Sequence, residues 1–127
     1  MKNRLLLIFA MSITLLLHGG CRPAIPPSAE PLLLRCLRAE RIISVDGVRR
    51  RSINGFDYFG AALTVEVTWG FESWYHPGVI MRRPHTATDW SQADLFSSED
   101  LSIEQAFELS EREFLAHLHS WQCQQGD

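Results

Sequence analysis

Lysine is all but missing from this sequence: Lys2 stands alone, and every basic residue after Arg4 is an arginine. That usage reflects coding more than chemistry. Long hydrophobic runs are also scarce. The one candidate, Leu5 to Leu17, has thirteen residues. As a helix it would rise roughly 20 Å against a hydrocarbon core of about 30 Å, too short for a comfortable span. There are only three cysteines, and none forms a Cys-x-x-Cys pair, which argues against dithiol redox chemistry. The sequence has no Gly-x-Ser-x-Gly elbow, no phosphate loop and no His-Glu-x-x-His, so no enzymatic activity and no cofactor is expected. It has no internal repeats.

Histidines give no metal pattern. His117 and His119 are two apart, so on a helix they project about 160° from each other. Glu113 and His117 form the only sensible local pair, and a solvated helix face accounts for them. His76 and His85 fall in expected loops without a ligand-spaced partner. No metal site is expected.

The N-terminus carries a clear layout. Lys2 and Arg4 precede the apolar run, and His18-Gly19-Gly20-Cys21 follows it. Too short to span and preceded by positive charge, the run fits a cleaved signal. The layout resembles a bacterial lipoprotein signal peptide, with His18 where that class usually has leucine and Leu17 one position further back. The resemblance covers residues 1 to 21 only. It implies that Cys21 takes lipid and becomes the first residue of the mature protein, joined to a membrane. Arg22 stands where an aspartate would resemble an inner-membrane retention signal. The implied location is the outer membrane, facing the periplasm.

This resemblance divides the chain into a signal peptide (1–20), a lipidated cysteine with a Pro-rich tether (21–31) and one small domain (32–127). The ten residues from Arg22 to Pro31 hold four prolines. Such a segment is extended and semi-stiff, at about 3.1 Å per residue. With Cys21 given to lipid, Cys36 and Cys123 remain. In an oxidising periplasm an even pair reads as a disulfide.

Charge is uneven along the chain. Residues 22 to 83 carry nine arginines and six acids, net +3, whereas residues 84 to 127 carry one arginine and nine acids, net −8. The simplest arrangement is an acidic helix packed beside a basic sheet. The acidic total and the implied compartment disfavour nucleic-acid binding.

Local signals favour a sheet followed by a helix. Segment 32–41 suits a helix by composition, with Ser28 and Pro31 placed to start one. Its continuity with Ile42-Ile43-Ser44-Val45 favours one long first strand instead. Asp46-Gly47 and Asn54-Gly55 both tolerate the positive φ of a two-residue hairpin. They bracket a middle strand over residues 48–53. Ala62 to Trp69 alternates cleanly, with Leu63, Val65, Val67 and Trp69 on one face. Residues 78–82 form a shorter candidate strand. A short helix is conceivable over 88–96. Ser102-Ile103-Glu104-Gln105 has the form of a capping box opening a helix over 102–121. Cys123 would then tie that helix to the sheet.

The expected fold is α+β: a small antiparallel meander sheet packed by a C-terminal helix and closed by a disulfide. Two surface features stand out. The segment 69–78 is read as a loop with Trp69, Phe71, Trp74 and Tyr75 clustered between glycines and a proline, a composition suited to binding. The run Arg49-Arg50-Arg51 suits a solvated edge strand, an acidic partner or lipid head groups near the anchor. The expected role is a non-enzymatic accessory subunit held at the membrane through Cys21, with an envelope protein as partner. The alternative is a periplasmic module that binds a small ligand or cell-wall fragment with the 69–78 loop.

Overall fold

The computed structural model describes residues 25–67, 72–98 and 100–123. Cys21, the signal segment, Trp69 and Phe71 lie outside the described residues.

A 3-10 turn, Pro27–Ala29, runs into helix α1, Glu30–Leu37, with Pro31 in its first turn. The first strand therefore does not begin at residue 32, contrary to the expectation above. Ala29, Leu33 and Leu37 recur every four residues and are all buried, a helical stripe that the strand reading overlooked. Arg38 ends the helix in the left-handed region, at φ 54°. The folded part reaches back into the segment read as tether, since Ile25 and Ala29 belong to the core.

The chain then forms β1 (Ala39–Ile53), β2 (Phe56–Val67), β3 (Ser73–Pro84) and β4 (Asp94–Ser97). Two short helices follow, α2 (Ile103–Glu108) and α3 (Glu111–His117), and then the two-residue strand β5 (His119–Ser120). The strands make a five-stranded meander in chain order. Every pairing is antiparallel. The molecule is thus mostly open antiparallel sheet with short helices. No helix among the described residues is long and apolar enough to cross a membrane.

Asn54-Gly55 forms the β1–β2 turn, with both residues at positive φ (50° and 82°). Asp46-Gly47 does not turn the chain. Asp46 pairs with Ala62 and Arg49 with Gly60, so two residues of β1 face one of β2. This is a bulge with Gly47 at φ 63°. Pro77-Gly78 is a second bulge, between the pairs Ala61–Val79 and Leu63–His76. The segment read as a loop is therefore strand from Ser73 onward. Residues 88–96 hold no helix; their end is β4.

Both faces of the sheet are covered. On one, Phe59, Ala61, Leu63, Val65, Val79 and Met81 pack beneath α1 and the residues before it. On the other, Tyr58 and Ile80 pack with Ile103 and Phe114 of the C-terminal helices. The single helix expected over 102–121 is broken at Leu109, which is extended (ψ 156°). Ser102 makes the expected capping box with Gln105, and Ser110 caps the second helix by accepting from the Glu113 amide.

Cys36 and Cys123 are disulfide-bonded, with Cα atoms 4.8 Å apart. The bond joins α1 to the segment after β5. It does not tie the C-terminal helices to the sheet, as the sequence reading had it.

Candidate functional site

The two ends of the sheet differ. At the end where β2 finishes and β3 begins, Trp74 and Tyr75 are the exposed large hydrophobic residues among those described, at 53% and 62%. Trp74 pairs with Val65 and Tyr75 with Thr64, so they lie on opposite faces of the strand. Val65 is buried beneath α1, which places Trp74 on the α1 face. A shallow depression there is lined by Leu37, Arg38, Val67, Glu72, Trp74 and His76. Tyr75 cannot share that depression, so the two aromatics do not line one pocket. They form a wedge around the strand instead.

His76 faces the same side as Trp74 and contacts the Trp121 ring, with centroids 5.5 Å apart. Burial pushes its pKa below the ordinary value. Among the described residues no group of three His, Cys, Asp or Glu side chains could hold a metal ion.

The other end of the sheet holds an open cleft of about 740 Å³ on the α1 face. The sequence reading missed it because its walls come from five separated segments. Arg50 comes from β1, Asp57 and Phe59 from β2, Arg83 from β3, Trp90 from the β3–β4 connection and Pro26 from the entering chain. Pairing puts these strand residues on one face: Arg50 opposes Phe59, and Arg83 opposes Asp57. Arg83 stacks on the Trp90 ring at 4.4 Å, and Arg50 on Phe59 at 5.3 Å. The Trp90 amide donates to Ser28 Oγ at 2.9 Å, fixing the tryptophan to the 3-10 turn.

Asp57 is the polar hub of this end. It accepts from Ser52 Oγ and His85 Nδ1, both at 2.9 Å and both on Oδ1, and from Arg83 Nε on Oδ2 at 3.3 Å. These contacts, His85 foremost, hold its pKa below the ordinary carboxylate value against the opposing effect of burial. A serine, a histidine and an aspartate thus meet, but not as a catalytic relay. The imidazole bonds the carboxylate and not the hydroxyl, and an acid held below its usual range is a weak base. The arrangement orients side chains.

The three consecutive arginines separate by strand alternation. Arg49 is exposed and donates to the neighbouring Val48 carbonyl. Arg50 enters the cleft. Arg51 turns to the opposite face, where Nη1 donates to the Phe107 and Leu109 carbonyls at 3.3 and 2.9 Å. Its guanidinium also lies 4.9 Å from the Phe114 ring centroid. Arg51 is a structural residue, not part of a free basic patch.

No family profile, no curated protein and no solved structure matches this chain.

Proposed function

We propose that the protein is an envelope lipoprotein, anchored through Cys21, whose domain serves as a non-enzymatic interaction subunit for another envelope protein. One observation carries the reading. The chain enters the domain beside the cleft at Ile25, and the exposed Trp74 and Tyr75 sit at the opposite end of the sheet. Asp57 in the cleft and Val65 opposite Trp74 lie eight residues apart on β2, roughly 26 Å. A tether at one end leaves the aromatic wedge pointing away from the anchoring surface, towards a partner. Aromatic residues with amphipathic rims are the usual anchors of protein interfaces. The disulfide fits an oxidising compartment, as the anchor requires.

Two measurements test this reading. Palmitate should label the wild type and not Cys21→Ser; an unlabelled wild type removes the anchor. A photo-crosslinking amino acid placed at 74 or 75 should trap one reproducible envelope protein in intact cells. The same probe at exposed Arg49 should trap none. Equal trapping at all three positions would remove the wedge as the contact surface.

A further inference from the structure

We propose that the cleft at the anchor end is an oxyanion site, built to take a phosphate group between Arg50 and Arg83. This site lies at the opposite end of the sheet from Trp74 and Tyr75, so it stands or falls apart from the partner reading.

Arg50, Arg51 and Arg83 line the cleft with one carboxylate, Asp57; the Arg51 guanidinium is turned to the Phe107 and Leu109 carbonyls, which leaves Arg50 and Arg83 to face a ligand. The carboxylate is committed, since Asp57 already holds Ser52, His85 and Arg83. Its bond to Arg83 runs through Nε and not through the Nη amines, and Asp89 is close enough to feel the same guanidinium. A planar guanidinium meets phosphate with paired donors, a geometry lysine cannot offer.

Arg83 is held in place by its bond to Asp57 and by the Trp90 ring, which Ser28 fixes in turn, whereas Arg50 is exposed and lies over Phe59. Pre-ordering of Arg83 reduces the entropy lost when a ligand binds. Arg82 shows the contrast. It lies over Phe56 and Phe96, but its Nε and Nη2 both bond Asp94, so it is spent within the fold.

Location narrows the source of the phosphate. Ile25 lines the cleft and lies four residues after Cys21, about 13 Å of extended chain. If Cys21 carries lipid, the cleft sits at headgroup level, and a phospholipid headgroup is the nearest phosphate. That choice of source rests on the anchor reading; the site itself does not.

The full-length protein in neutral detergent micelles should bind inorganic phosphate in isothermal titration. Arg50→Gln and Arg83→Gln should each weaken binding about tenfold or more, whereas Arg49→Gln should leave it unchanged. Arg83→Lys keeps the charge and loses the fork, and it should weaken binding as well. Equal affinity in the Arg83→Gln and Arg49→Gln variants overturns the site, as does a wild type that binds no phosphate. Micelles doped with phosphatidylglycerol should compete with phosphate more strongly than those doped with phosphatidylcholine. Competition by neither lipid, with phosphate binding intact, upholds the site and assigns it to a soluble phosphate compound. That outcome would be recognisable even if palmitate labelling failed.

Discussion

Three donors from separate points of the chain converge on Asp57. Ser52 is next to last in β1, Arg83 lies near the end of β3, and His85 follows that strand. The carboxylate therefore staples the β1–β2 turn to the end of β3. The side chain is only 17% exposed, so water does not replace these contacts. The consequence for pH follows from the sign of its shift. A carboxylate with a folded pKa below its unfolded value stabilises the fold above that unfolded value, here near 3.8. The contribution is lost as pH falls through the lower, folded pKa. Asp57→Asn lacks the charge at every pH. The wild type should therefore be more stable than Asp57→Asn above about pH 4, and the gap should close as the solution is acidified below that. Urea midpoints from pH 7 to pH 2.5 would show it, and a gap that stays constant over that range would remove Asp57 as a charge-dependent staple.

At the scale of elements, one arginine explains why the C-terminal helix is two helices. The apolar spacing of Ile103, Phe107 and Phe114 is continuous, and no glycine or proline interrupts it. The break comes from β1: Arg51 reaches across and satisfies the carbonyls at Phe107 and Leu109, where α2 stops. Ser110 then opens a new helix. Arg51→Leu should cost about 2–3 kcal/mol, because it strips charged hydrogen bonds from helix-terminal carbonyls in a partly buried site. Arg49→Leu, next but one on the same strand, should stay within about 0.5 kcal/mol. Denaturant unfolding of both variants decides this, and equal costs would place the break elsewhere. The same case shows what a sequence can and cannot display. The capping box at Ser102 and the turn at Asn54-Gly55 are complete within a few residues, so they were legible. The arrest of α2 depends on a side chain more than fifty positions away. Asp46-Gly47 and Pro77-Gly78 fall between. Each dipeptide does bend the backbone, but pairing on both sides continues, so the bend becomes a bulge. The cleft was the least legible feature, since Arg50, Asp57, Arg83 and Trp90 meet only once the strand register is known.

The molecule as a whole is closed by Cys36–Cys123, which spans 87 residues of sequence. The β5 strand has two residues and pairs with a β4 of only four. So short an edge holds little by itself. The segment just beyond it is fixed by the Trp121 amide on the Leu95 carbonyl at 2.8 Å, by the Trp121–His76 ring contact and by the disulfide to α1. Chain-entropy arguments give roughly 4–5 kcal/mol for a loop this long, with native strain reducing it. Domains of this size hold about 5–15 kcal/mol in all. The paired variant Cys36→Ser, Cys123→Ser should therefore lose about 3–4 kcal/mol and still fold in buffer at 25 °C. The loss should have a local mark as well. Exchange of the Trp121 amide should rise by more than exchange of the Val65 amide in the central strand, because the edge is released first. His76 gives a second readout. Burial now holds its pKa below the ordinary 6.5. Departure of Trp121 would admit water and let the pKa rise towards that value, which NMR titration of the ring protons would follow. A change in stability under about 1 kcal/mol, with Trp121 exchange and the His76 titration unaltered, would mean that strand pairing and the α1 contacts hold this edge without the covalent bond.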